Sequence, residues 1–299
     1  MLRLGGLLLI ALCLAVAAGY HVKSLPSGAQ DEFLVTADGA RHFLVIAAGP
    51  GARPTIIVLH GRGGTAAATA TEDGFAAAAR RYGFNAVFPE GIDRQWTDGR
   101  FPPSTRPDDL AFLEALATNL LRDGTVAPGR LYLAGISNGG MMTLTLACKA
   151  AKLFAGYGTV IAALPKPLTA CRLPATRVVM VNGTADPVVP FAGGTVHIAS
   201  LTRGSVLGAE QTVRMFALAA GCTGTRSRSL PNLDSRDGTT VTRTDWLGCR
   251  PGTLVRFYRV DGGGHQVPGG TPGDEAHSGL GNDDISAAGV ILEAFADPR

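Results

Sequence analysis

The chain has 299 residues, of which 46% are hydrophobic and only 17% charged, and its net charge is +3. That balance supports a sizeable buried core and excludes wholesale disorder. No block of Lys or Arg occurs, so no nucleic-acid partner is expected.

The first element is an export signal. Arg3 gives a short positive start, residues 4–18 form an uncharged apolar run, and small residues follow through Ala17, Ala18 and Gly19. This is the layout of a secretory signal peptide over residues 1–19, and the mature protein is expected to be secreted, extracellular or periplasmic. The rival reading is an uncleaved N-terminal anchor, but a membrane span needs about 20 apolar residues. Without that anchor, no lasting membrane partner is expected. A lipid anchor on Cys13 would need a smaller residue before it than Leu12. Cys13 leaves with the signal, and Cys148, Cys171, Cys222 and Cys249 remain. An even number in an exported chain predicts two disulfides, with three possible connectivities, of which neighbour pairing is the simplest. No Cys-x-x-Cys or His/Cys spacing points to zinc, and no metal or organic cofactor is expected.

Short apolar runs at 43–47, 56–59, 86–88, 131–134, 178–181 and 254–260 read as buried strands. Helical spacing appears between them. Asp108 and Asp109 open one helix, along which Leu110, Leu113, Ala117 and Leu120 recur; others cover 139–151, 213–220 and 285–295. Strands alternating with helices predict an α/β fold with a mostly parallel central sheet and helices on both faces. The polar stretch 223–244 reads as an excursion between Cys222 and Cys249, and residues 25–299 as a single domain.

Gly135-Ile136-Ser137-Asn138-Gly139 directly follows the strand at 131–134 and opens a helix, the context of a nucleophile elbow. A turn that tight demands small flanking residues. It lifts the Ser137 hydroxyl above the sheet and aims the Asn138 N–H, at a helix N-terminus, where an oxyanion would form. A serine hydroxyl needs a base, and in this fold the base is a histidine that comes last, after an acid. His265, in Asp261-Gly262-Gly263-Gly264-His265 after the last strand, is the expected base. Its glycines are expected to let the imidazole swing over the sheet edge. His277 sits in a polar loop and reads as exposed; His21, His42 and His197 have no comparable context. Asp186, just beyond the strand at 178–181, is the expected acid, while Asp261 is too close to His265 in sequence. The second oxyanion donor is expected from His60-Gly61-Arg62-Gly63-Gly64, with the Arg62 N–H first and Gly61 second. That loop lacks the Lys-Ser/Thr ending of a phosphate loop.

With these motifs in place, the chain resembles the polyhydroxybutyrate depolymerase-like esterases, which are similar in turn to feruloyl and acetylxylan esterases. The matching pieces are Leu59-His60-Gly61 with Gly63-Gly64, Pro89-Glu90-Gly91 leading to Trp96, and Asp108-Asp109 with Phe112-Leu113. They continue through Gly135 to Met141, Gly183 to Pro190 with Gly193-Gly194, and Gly262 to His265 with Pro268-Gly269-Gly270. The resemblance implies the α/β-hydrolase fold, the triad Ser137, Asp186 and His265, and the pairs Cys148 with Cys171 and Cys222 with Cys249. It also implies an ester substrate, a small molecule or an oligomer such as a hydroxyalkanoate. Two places after the histidine, where the family often has Trp, this chain has Val267, which is expected to line the substrate pocket. No separate substrate-binding segment follows the catalytic part, so soluble esters or oligomers are expected over solid polymer. Trp96 is read as either lining the acyl pocket or packing in the core. A feruloyl or acetylxylan esterase, a serine peptidase on the same scaffold and a non-catalytic binding protein are the alternatives. The sequence leaves the oligomeric state open.

Overall fold

The computed structural model describes residues 26–101 and 108–297. The signal-like run 1–19, with Cys13, and also His21, lie outside them. In chain order the elements are β1 (Ala29–Thr36), β2 (Gly39–Ile46), β3 (Arg53–Leu59), α1 (Ala66–Thr71), α2 (Phe75–Tyr82) and β4 (Asn85–Pro89). Next come α3 (Asp109–Arg122), β5 (Val126–Ile136), α4 (Asn138–Lys149), β6 (Gly156–Val160) and β7 (Arg177–Gly183). The hairpin β8 (Gly194–Ile198) and β9 (Leu201–Val206) precedes α5 (Ala209–Ala220), and β10 (Gly224–Ser229), β11 (Thr240–Leu247) and β12 (Leu254–Asp261) follow. Helices α6 (Glu275–Ser278) and α7 (Ala287–Ala296) come last.

Among the described residues, ten strands form one sheet in the order β1-β2-β4-β3-β5-β6-β7-β12-β11-β10. The six from β4 to β12 run parallel, while β1 and β2 at one edge and β11 and β10 at the other run antiparallel. The central strands are continuous apolar runs because both faces are covered, and successive side chains point to opposite faces. Ile57, Leu59, Leu131, Leu133 and Met180 pack with α3, α4 and α5. Ile56, Val58, Tyr132, Val179 and Val181 pack with α1, α2 and α7. Each such side chain contributes about 1.5–3 kcal/mol on burial.

Local chemistry sets the helix ends. The Asp108 carboxylate accepts from Ala111 N at the start of α3, and the Ser286 hydroxyl accepts from Gly289 N at the start of α7. Asp109 forms a buried ion pair with Arg41 of β2 at 2.7 Å, joining α3 to the outer strands. Cys148 pairs with Cys171 and Cys222 with Cys249, so the neighbour pairing holds.

Two features of the sheet differ from the sequence reading. The polar stretch 223–244 is no mere excursion: its ends are β10 and β11, which extend the sheet. Backbone pairing builds them, and β10 is exposed along its whole length, so no apolar pattern marks it. The second is β6, which carries no strand signal because it begins Gly-Tyr-Gly. A Cβ on Gly156 would lie 2.9 Å from the Arg177 carbonyl oxygen, and one on Gly158 would lie 2.8 Å from Ile291. These glycines let β7 and α7 approach closely. No helix among the described residues is long and apolar enough to cross a membrane.

Candidate active site

Five loops meet above the sheet, each following the carboxyl end of a parallel strand: 60–64 after β3, 90–101 after β4, Ser137 after β5, 184–190 after β7 and 262–270 after β12. Open parallel sheets place their sites at this edge.

Ser137 has φ 51° and ψ −116°, a conformation that L-residues rarely hold and that the turn from β5 into α4 imposes. The flanking glycines are steric requirements. A Cβ on Gly135 would stand 2.3 Å from Gly139 O, one on Gly139 would stand 2.4 Å from His60 O, and one on Gly140 would stand 2.6 Å from Ala162. The Ser137 Oγ lies 2.9 Å from His265 Nε2, and His265 Nδ1 lies 2.7 Å from Asp186 Oδ2. Asp186 Oδ1 accepts from Val188 N and Val189 N, each at 2.8 Å, and the carboxylate is almost fully buried, with 2% of its side chain exposed. With its oxygens so engaged, Asp186 stays a fixed acceptor for the imidazole. The three residues picked out by spacing therefore form one hydrogen-bonded line.

The His265 loop corrects one detail. Its glycines give close packing, not room for the ring to swing. A Cβ on Gly264 would stand 2.1 Å from Ser278 O, and one on Gly183 would stand 2.2 Å from Gly263 O. Gly264 N donates to Leu280 O at 2.8 Å, His265 N to Ser278 O, and Gly269 N to Asn282 O at 2.9 Å. The loop backbone is held on both sides of the ring. His277 is exposed and pairs with Asp274, His42 pairs with Asp31, His197 is exposed, and Asp261 pairs with Arg259. None of them joins the line.

The loop 60–64 lies against the elbow: a Cβ on Gly61 would be 3.6 Å from Ser137 Cβ. The Gly61 carbonyl accepts from Gly64 N at 2.9 Å and lies 2.7 Å from His60 Nδ1. Because Gly91 N donates to His60 Nε2 at 2.9 Å, the proton of a neutral His60 sits on Nδ1. Burial lowers the His60 pKa from its ordinary value, against the raising effects of Gly61 and Glu90, so the ring stays neutral. Fixing the Gly61 carbonyl also fixes the direction of the Arg62 N–H in the same peptide plane. The Arg62 guanidinium donates to Gln95 Oε1, and the Arg94 guanidinium to the Gly63 and Gly64 carbonyls, so the 91–96 turn braces this loop.

Trp96 is 4% exposed and packs in the core, and Val267 packs against the α1, α2 and α7 side. His60 was read only as part of its glycine-rich loop, and Gln95 and Asp98 are site residues that sequence reasoning did not single out. Only the fixed spacing from Pro89-Glu90-Gly91 to Trp96 hinted at their loop. Among the described residues, no group of three or more His, Cys, Asp or Glu is arranged to hold a metal ion.

A ten-stranded, largely parallel sheet with helices on both faces and these loops at its carboxyl edge is the α/β-hydrolase fold. Acetyl xylan esterase from Aspergillus awamori shares it, with TM-score 0.56 at 12% identity over 89% of this chain and 98% of that one. No protein-family model matches the chain. A protein of Nocardia uniformis subsp. tsuyamanensis named "Putative esterase NocK" is 33% identical over 232 residues, covering 74% of this chain and 67% of its own length. The chain belongs to that protein's family, esterases of the α/β-hydrolase type. Feruloyl esterase B of Piromyces equi is 27% identical over 234 residues, and the match spans 75% of this chain but only 42% of that enzyme.

Proposed function

We propose that the chain is a secreted serine hydrolase of carboxylic esters, with Ser137 as nucleophile, His265 as base and Asp186 as its orienting acid. The observation that carries this reading is the line Ser137 Oγ, His265 Nε2, His265 Nδ1, Asp186 Oδ2, with links of 2.9 and 2.7 Å at a strained elbow. Ser137 attacks the ester carbonyl as His265 takes its proton. The oxyanion is held by the N–H groups of Asn138 and Arg62. The tetrahedral adduct collapses, His265 protonates the departing alkoxide, and an acyl-Ser137 ester remains. Water then attacks that ester, His265 again takes and returns the proton, and the acid and free Ser137 are released.

Residues 25–299 form the catalytic domain in this reading, and residues 1–19 the export signal. Two disulfides fit an oxidising compartment. The substrates are hydroxyalkanoate oligomers or related soluble esters, on the resemblance to the depolymerase-like esterases. A feruloyl or acetylxylan type of ester is the second reading, favoured by the kinship with a feruloyl esterase.

The test is hydrolysis of short p-nitrophenyl esters by the purified chain beside Ser137→Ala. The expected result is turnover by the wild type and a fall in kcat of about 10⁴-fold or more in the variant. An inactive wild type, or a variant that keeps its rate, refutes the serine mechanism. Hydroxybutyrate oligomers, feruloyl esters and acetylated sugars then separate the substrate classes.

A further inference from the structure

An oxyanion hole works only if its donors converge on one point, about 2.7–3.1 Å from the oxyanion. Here the proposed donors come from separate loops, Arg62 after β3 and Asn138 after β5. One residue is bonded to both loops. The Trp96 indole N–H donates to the His60 carbonyl at 2.9 Å, and its ring lies 4.9 Å from the His60 ring at 40°. Its backbone N–H donates to Asn138 Oδ1 at 2.7 Å, and its carbonyl accepts from Asn138 Nδ2 at 3.0 Å.

The bracket is itself anchored. Asn138 Nδ2 also donates to Asp98 Oδ2, and Asp98 is buried in an ion pair with Arg100 at 2.7 Å. The Thr145 hydroxyl of α4 donates to the Asp98 carbonyl at 2.7 Å. The His60 carbonyl is confined between the indole and Gly139, where any Cβ would collide with it. Both loops are therefore fixed relative to one side chain and its backbone, and that side chain is too deeply buried to offer a broad wall to substrate.

We propose that Trp96 is a positioning residue that sets the separation of the two oxyanion donors, an inference that rests on the serine-esterase reading. It touches no reacting atom, so its loss acts on transition-state stabilisation and leaves ground-state ester binding alone. Trp96→Phe keeps an aromatic ring but removes the indole donor together with part of the buried ring volume. Asn138→Ala keeps the backbone N–H and removes the carboxamide bonds to Trp96 and Asp98.

The experiment measures kcat and KM for p-nitrophenyl butyrate, and inhibition by an alkyl trifluoromethyl ketone, whose adduct with Ser137 carries an oxyanion. Both variants of the full chain are compared with wild type and Ser137→Ala. Small displacements of catalytic groups cost one to two powers of ten in rate. The expected result in each variant is a fall in kcat of about tenfold, with KM unchanged and ketone affinity reduced by the same factor. A raised KM at constant kcat overturns the proposal and makes Trp96 a pocket wall. Unchanged kcat and ketone affinity in the folded variants also overturn it. If Trp96→Phe does not fold, Asn138→Ala decides with the same readouts. An inactive wild type or an active Ser137→Ala refutes the esterase reading itself and the inference with it. Failure of the Trp96 arm alone leaves that reading intact.

Discussion

The centre of the sheet and its outer edge are built in different ways. Strand β7 has every residue buried, and its neighbour β12 and the nearby β5 are largely so, with apolar side chains on both faces. At the edge, β10 is exposed at every position and reads Gly-Thr-Arg-Ser-Arg-Ser. It is held by backbone pairing to β11, by the Cys222–Cys249 bridge at its base, and next door by Asp245 between Arg243 and Arg256. The centre is stabilised by burial, and at Gly135, Gly139 and Gly140 it tolerates no added atom. The edge is stabilised by covalent and ionic links and has room to spare at Gly224. The strained Ser137 turn sits on the centre, where surrounding packing can offset its cost.

Glycine substitutions should break this contrast most sharply. Gly139→Ala puts a Cβ 2.4 Å from His60 O and 2.5 Å from Leu59 O. We expect a loss of about 3 kcal/mol or more, or failure to fold, in urea unfolding, because backbone on both sides must move. The same change at Gly224, which has nothing within 4 Å, should stay within about 0.5 kcal/mol. Equal effects at the two positions would undo the comparison. Next in size, Cys222→Ser with Cys249→Ser should cost about 3 kcal/mol, since the bridge closes a loop of 27 residues. Limited proteolysis should then cut first within 223–249.

The smallest effect is ionic. Partial burial would raise the Asp245 pKa, but hydrogen bonds from Arg243 and Arg256 outweigh it and hold the carboxyl below its usual value. A folded-state pKa below the unfolded one gives stability that is present above the unfolded pKa and lost as pH falls through the folded one. Asp245→Asn should therefore cost about 1 kcal/mol at pH 7, after allowance for solvent screening. Its Tm deficit should shrink towards zero as the pH drops below 4. A deficit that persists in acid would mean that shape, not charge, is what Asp245 supplies.

The same contrast explains which parts of the protein were legible. Strands at 56–59, 131–134 and 178–181 announce themselves because two covered faces require unbroken apolar runs. Strand β10 was silent because pairing of main-chain groups asks nothing of its side chains. Strand β6 was silent because its glycines answer to Arg177 and Ile291, neighbours that only folding supplies. Ser137, Asp186 and His265 were each readable from a strand, a turn and their chain order. Trp96 was legible as a residue but not as a role, since its partners His60 and Asn138 lie 36 and 42 positions away.

By itself, the sequence determined the alternation of strands and helices, the elbow turn and the chain order of Ser137, Asp186 and His265. These follow from local rules: apolar periodicity, tight turns that need glycine, and nucleophiles that need a base. Only the tertiary structure decided that the Gly262–Gly264 run clamps the His265 loop, and that His60, Trp96 and Asn138 form one bracket behind Ser137. Those facts depend on distances between segments remote in the chain, and such distances are set when the two faces of the sheet pack, not by any local pattern.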